Sequence, residues 1–126
     1  MKPKLLIVED DATVREMLAL VLSGAGFDVV TAPDGQAGLD RAWCERPDLI
    51  LTDLEMPNLD GIQMILGLRR EPELQAIPVL VLSAVPQGTL RQAISAGAAE
   101  ALQKPVQICA LIELIRQILG HTPPSE

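Results

Sequence analysis

Apolar runs with strand character recur along this chain, and stretches of helical periodicity lie between them. No other feature constrains the fold as much. The runs are residues 5–8, 29–31, 49–51, 79–82 and a weaker one at 101–102. Most are continuous rather than alternating, as in strands covered on both faces. Val14, Met17, Leu18, Val21 and Leu22 repeat at helical spacing. Ile62, Ile65 and Leu66 begin a second stripe, and Leu90, Ala93 and Ile94 a third. Ile108, Leu111, Ile112, Ile115 and Leu119 make the strongest one, and residues 35–45 form a weaker helical segment carrying Ala37, Ala42 and Trp43. Breakers sit where this scheme needs them: Gly24 and Gly26 after the first helix, Pro47 and Pro78 before the third and fourth strands, Gly97 after the fourth helix. The pattern predicts five βα units, an α/β domain with a parallel sheet, right-handed crossovers and helices on both faces.

The length of 126 residues suits one domain. Residues 1–121 are expected to form it, with 122–126, polar and Pro-rich, as a tail or the start of a linker. Hydrophobic residues are 48% of the chain, enough apolar surface to drive collapse and to exclude disorder as a whole-chain reading. Lys plus Arg is 10 against 17 for Asp plus Glu, a net charge of −7. That balance argues against direct nucleic-acid binding, which needs clustered cations. Phe27 and Trp43 are the only aromatics, so no base-stacking platform is available. The basic start and residues 5–8 resemble the beginning of a signal peptide, but Glu9-Asp10-Asp11 ends the apolar run too soon, and a first core strand is expected instead. No apolar run reaches the ~18 residues of a membrane span. Cys44 and Cys109 are isolated, without metal or disulfide spacing. A reduced, cytoplasmic protein is expected.

In open parallel sheets, sites form outside the carboxyl ends of the strands. The first strand delivers Glu9, Asp10 and Asp11 there, the third Asp53 and then Glu55, the fourth Ser83 and Ala84, the fifth Lys104 and Pro105. The second delivers only Ala32 and Pro33, as an edge strand away from the site would. Carboxylates converging on one cleft raise each other's pKa or require a cation. Mg²⁺ suits carboxylate oxygens, a carbonyl and several waters. An acidic loop also has a plainer use, since Asp10 or Asp11 could cap the first helix. Asp53, at the end of an apolar strand and ahead of a Pro57 turn, is harder to explain that way. Lys104 opposite the acids is their natural counter-ion. The set suggests phosphoryl transfer to a carboxylate nucleophile, with charge on the phosphoryl oxygens neutralised by Mg²⁺, Lys and Ser. The one histidine, His121, lies in the tail, so no Ser/His/Asp triad is expected. No Gly-rich phosphate loop follows the first strand.

These residues resemble a response-regulator receiver domain, the phosphoacceptor half of two-component signalling. The motifs are Leu-Ile-Val-Glu-Asp-Asp at 6–11, Thr-Asp-Leu-Glu-Met-Pro-Asn-Leu-Asp-Gly at 52–61, Leu-Ser-Ala at 82–84 and Lys-Pro at 104–105. Their order and spacing are specific together, and the resemblance covers about residues 4–119. It implies a flavodoxin-like (βα)5 three-layer sandwich with strand order 2-1-3-4-5. It implies that Asp53 is the phosphoacceptor, that Asp10 binds Mg²⁺ (or Mn²⁺) directly, that Glu9 holds a metal-bound water, and that Glu55 offers its backbone carbonyl. Ser83 would turn toward the phosphoryl group, Ala84 would leave access to Asp53, and Lys104 would pair with the phosphoryl group. The Lys104–Pro105 bond would be cis, and Gly61 would open the third helix. A sensor histidine kinase or phosphotransfer protein is the implied donor, and an output protein or fused output domain the implied receiver of the signal.

Two positions depart from the family. The switch aromatic on the fifth strand is here Ala101, and the residue after Lys-Pro is Val106 rather than Phe. An aromatic rotamer signal cannot operate, so a readout must use movement of the loop at 83–88 or helix packing. These departures motivate an alternative, a pseudo-receiver that binds partners without turning over phosphate. Glu55 and Val85 flank the acceptor, and Glu55 either repels water or pairs with Lys104. Ala110, Leu114 and Ile118 widen the apolar stripe of the last helix, either as a broad core contact or as a homodimer surface. An aspartate-nucleophile phosphohydrolase would carry its motif after the first strand. A flavin or nucleotide binder would not have an acidic first loop.

Overall fold

A computed structural model describes residues 2–56 and 59–120. The expected turn at Pro57, the tail at 122–126 and His121 lie outside the described residues. In chain order the elements are β1 (Lys4–Val8), α1 (Ala12–Gly24), β2 (Asp28–Ala32), α2 (Gly35–Glu45), β3 (Leu49–Thr52), α3 (Gly61–Arg70), β4 (Val79–Ser83), α4 (Gln87–Ala96), β5 (Glu100–Gln103) and α5 (Ile108–Gly120). All strand pairs are parallel, in the order β2-β1-β3-β4-β5. This is the flavodoxin-like sandwich expected.

The continuous apolar strands follow from burial on both faces. Leu5, Ile7, Leu49, Leu51, Leu80 and Leu82 point to a core shared with Leu18 and Leu22 of α1, Phe27, and Leu111 and Ile115 of α5. Their neighbours Leu6, Val8, Ile50, Val79 and Val81 point the other way, to a core with α2, α3 and α4 that includes Ala42, Met64, Ile65, Leu68, Leu90 and Ala93. Side chains alternate along a strand, so adjacent residues serve opposite layers. β2 and β5 lie at the edges and are only partly covered.

Leu114 and Ile118 of α5 are half-buried against the α1–α5 core, together with Ile112 and Leu119. Leu114 and Ile118 of the wide stripe thus contribute to core packing, while Ala110 is exposed. The exposed positions are Cys109, Ala110, Glu113, Arg116, Gln117 and Gly120. No helix among the described residues is long and apolar enough to cross a membrane.

Helix starts set the active edge. Asp11 Oδ1 caps α1, accepting from the N–H groups of Thr13 and Val14 at 2.9 and 3.2 Å. Asp60 caps α3 through the Gln63 N–H at 2.9 Å. Gly61 is needed at the start of α3: a Cβ there would collide with the Asp53 carbonyl oxygen and come within 2.8 Å of Leu54 Cα. The helix thus packs against the backbone that presents Asp53.

Candidate functional site

β1 and β3 lie side by side in the sheet, and pairing of Val8 with Thr52 sets their ends level. The Asp53 N–H donates to the Val8 carbonyl at 3.2 Å, which places Asp53 beside Glu9. β4 ends in Ser83 opposite Gln103 of β5. The Lys104 N–H donates to the Ser83 carbonyl at 2.8 Å, holding the ends of these strands together. Four strand ends therefore converge, as the parallel topology requires.

Asp53 is held from several sides. Its Oδ1 accepts from the Leu54 N–H at 2.6 Å, the Glu55 N–H at 3.2 Å and the Ser83 hydroxyl at 2.7 Å. Its Oδ2 accepts from the Lys104 ammonium at 3.2 Å. The same ammonium reaches Glu9 Oε1 at 3.4 Å. Glu9 is only 4% exposed, and its Oε2 accepts from the Asp11 N–H at 3.2 Å. Burial pushes the Glu9 carboxyl above its ordinary range; Asp53 and a contact with Asp10 add to the rise, while the Asp11 N–H and Lys104 oppose it. Burial alone would lower Lys104, but the facing carboxylates of Asp53 and Glu9 outweigh it and hold the amine above its usual value.

Asp10 is exposed at the end of β1. The cap role belongs to Asp11, which leaves Asp10 for other work. Glu55 is exposed and meets Asp53 through its N–H; the ion pairs of Lys104 go to Glu9 and Asp53 instead. Ala84 is exposed directly after the fully buried Ser83. Ala101 lies in β5 opposite Val81, half-buried, and Pro105 is exposed after a cis Lys104–Pro105 bond.

Two contacts at this edge had no signal in residue type. Arg15 Nη1 donates to the Glu9 carbonyl at 2.8 Å. The Gln103 amide donates to the Val85 carbonyl at 3.0 Å. Either could have been found only by asking what an exposed polar side chain near a strand end can reach.

Glu9 and Asp53 share the Lys104 ammonium, with Asp10 against Glu9, and a cleft with that excess of negative charge favours a cation. Among the described residues no three His, Cys, Asp or Glu side chains stand together as a metal cage. The donors present are hard carboxylate oxygens, an incomplete set. That fits Mg²⁺, which keeps several of its waters, better than ions bound by full protein cages.

Residues 5–116 match the response regulator receiver domain. The chain belongs to the response-regulator receiver family. Like other receivers it is a signalling domain of two-component systems rather than a classical enzyme. It is 37% identical to the response regulator MprA of Mycolicibacterium vanbaalenii over 127 residues, covering all of this chain and 54% of that protein. It is 36% identical to RpaA of Synechocystis, a DNA-binding dual master transcriptional regulator, over 95% of this chain and 50% of that protein. The receiver thus spans about half the length of these curated relatives. A response regulator structure from Chloroflexus aurantiacus superposes with a TM-score of 0.91 at 34% identity, covering 96% of this chain and all of that one. The receiver domain of the sensor histidine kinase PA1611 from Pseudomonas aeruginosa superposes at 0.88 and 26% identity, over 95% of this chain and 99% of that one. That structure has a magnesium ion coordinated in its active-site cleft.

Proposed function

We propose that this receiver accepts a phosphoryl group on Asp53 from a histidine kinase or phosphotransfer protein in a Mg²⁺-dependent reaction. It would pass the signal on by protein contact, to an output protein or a fused output domain. The observation that carries the reading is the grip on Asp53: Lys104 Nζ on one carboxylate oxygen, the Ser83 hydroxyl on the other, and buried Glu9 sharing the ammonium.

Oδ1 already accepts three donors, so Oδ2 is the less saturated oxygen and the nucleophile. It attacks phosphorus in line; the new O–P bond forms as the P–N bond of a phosphohistidine, or the P–O bond of an acyl phosphate, breaks with its electron pair. Lys104 moves with the reaction from Oδ2 to a phosphoryl oxygen. The Ser83 hydroxyl turns to another, and Ala84 leaves the approach open. Asp10, Asp53 and the Glu55 carbonyl would hold Mg²⁺, with Glu9 bonding one of its waters. The bound ion supplies charge neutralisation on the transferred phosphoryl oxygens. Water attack on the acyl phosphate returns Asp53 to its starting state. A net charge of −7 disfavours phosphate contacts between this stretch and nucleic acid, and its two isolated cysteines suit a reduced, cytoplasmic setting.

The test is intact-protein mass measurement after incubation with acetyl phosphate, with Mg²⁺, with chelator, and in Asp53→Asn. We expect a gain of one phosphoryl group that needs Mg²⁺ and is absent from the variant. No gain in folded wild type across several donors would instead establish the pseudo-receiver reading.

A further inference from the structure

We propose that Gln103 is a clasp that holds the β4–α4 loop in its unphosphorylated position and supplies the readout that Ala101 cannot. The proposal rests on Asp53 being the phosphoacceptor, and it names the element that senses it. Residues 101 and 103 of β5 point to the same face of the sheet, because side chains repeat every second residue. Ala101 packs toward the α2–α4 core on that face. Gln103 stands one step nearer the active edge and turns toward the loop. Its amide donates to the Val85 carbonyl at 3.0 Å. Val85 is buried, so its carbonyl is anchored in the same core that receives Leu90 and Ala93 of α4.

The clasp is two residues from the phosphoacceptor's own hydrogen bond. The Ser83 hydroxyl donates to Asp53 Oδ1 at 2.7 Å and lies 3.5 Å from the Val85 N–H. Ser83 is fully buried, and its carbonyl is tied to the Lys104 N–H at 2.8 Å. Phosphorylation converts the Asp53 carboxylate into an uncharged acyl group and moves the charge outward onto phosphoryl oxygens, so the hydroxyl's strongest acceptor is no longer Oδ1 but those oxygens. When the hydroxyl follows them, the Ser83–Val85 backbone moves with it, and the Val85 carbonyl leaves the Gln103 amide. The loop then leads the motion into α4. The bond to phosphate and the bond to Gln103 compete for the same segment.

Coupling of this kind is reciprocal. If phosphorylation opens the clasp, removing the clasp must favour phosphorylation. The test compares wild type with Gln103→Leu and Gln103→Ala, first as unmodified protein. Hydrogen–deuterium exchange over residues 83–90 should quicken about fivefold, the population effect of one neutral hydrogen bond. It should approach the exchange of phosphorylated wild type, while exchange in β1 and β3 stays unchanged. Phosphoryl uptake from acetyl phosphate should then rise about two- to fivefold. Unchanged exchange over 83–90 in both variants overturns the clasp. Faster exchange with unaltered uptake also overturns it, leaving Gln103 as a merely structural contact. A wild type that takes up no phosphoryl group from any donor sinks the phosphoacceptor reading, and the regulatory role with it; the exchange data on unmodified protein keep that failure distinct from a missing clasp.

Discussion

Glu9 and Glu45 are the same residue at opposite edges of one sheet, and their surroundings drive them in opposite directions. Glu45, at the end of α2, bonds the Lys4 ammonium at 3.0 Å and lies 3.3 Å from Arg41. The Lys4 hydrogen bond holds its carboxyl below the ordinary range. Nearby, the Lys4 N–H donates to Asp48 at 2.8 Å. Arg69 is also far from the acidic edge. Its guanidinium donates to the carbonyls of Gln75, Ile77 and Gly97 at 2.7, 3.2 and 2.8 Å. These charges are matched, often more than once. Glu9 is buried with Asp53 and Asp10 nearby, shares one ammonium with Asp53, and is pushed up. The lesson is that one edge uses its charges to tie elements together, whereas the other keeps an excess of negative charge that a bound cation would offset.

The largest difference should come from removing each edge's cation. Lys104→Met is expected to cut phosphoryl uptake by about 100-fold, the usual loss for one charge-stabilising donor in a transfer site. It should also lower the melting midpoint, because buried Glu9 loses the ammonium paired with it. Arg69→Met should do the reverse: uptake within about twofold of wild type, but stability down by about 2 kcal/mol as three carbonyls lose a charged donor. Chemical denaturation and mass-detected uptake on both variants check this. Equal uptake losses in the two would erase the distinction between the edges.

A smaller effect tests the two glutamates directly, in chelator so that no metal intervenes. Glu9 has a raised folded-state pKa, so its ionisation costs stability. That cost appears as pH rises from the ordinary value of 4.5 through the raised one. Glu45 has a lowered pKa, so its contribution is present above the ordinary value and lost as pH falls through the folded one. At pH 7, Glu9→Gln should therefore raise the melting midpoint, by about 2 °C. Glu45→Gln should lower it by about a degree, as for an exposed ion pair. Below pH 4 both differences should shrink. Shifts of the same sign at pH 7 would show that the surroundings of the two residues are not what separates them.

The central strands were legible in the sequence because two-sided burial demands continuous apolar runs. β5 was faint for the complementary reason: as an edge strand it has exposed ends at Glu100 and Gln103 and only two partly buried residues between. The convergence of Glu9, Asp53, Ser83 and Lys104 could be anticipated, since a parallel sheet brings strand ends to one edge whatever the side-chain details. The division of labour between Asp10 and Asp11 could not. It depends on which residue has the extended backbone that precedes α1, and neighbouring aspartates do not announce that. Nor could the reach of Arg15 to the Glu9 carbonyl or of Gln103 to Val85. Both are ordinary polar side chains whose partners are backbone atoms brought near by tertiary packing. The broad stripe on α5 was readable in two ways because half-buried apolar residues such as Leu114 and Ile118 can serve a core and a partner face alike.

The smallest expected signal is also a control on the comparison. Trp43, on the last turns of α2, is 39% exposed, and the Arg46 guanidinium lies over its ring at 4.9 Å. Arg46 also donates to the Trp43 carbonyl at 2.9 Å and takes the left-handed conformation that ends the helix. The indole's surroundings are thus set by the helix terminus. Because α2 runs back across the sheet from the edge that carries Asp53, it ends near Lys4, with Glu45 as its last residue. Mg²⁺ and phosphoryl uptake should leave Trp43 emission within about 5%, since charge effects at that distance are screened in ordinary salt. Arg46→Ala should change the emission at once, because it uncovers the ring. Phosphorylation that shifts Trp43 as far as Arg46→Ala does would mean that the paired edge moves with the site. The two ends of the sheet would then be a coupled pair instead of a fixed base and a responsive rim.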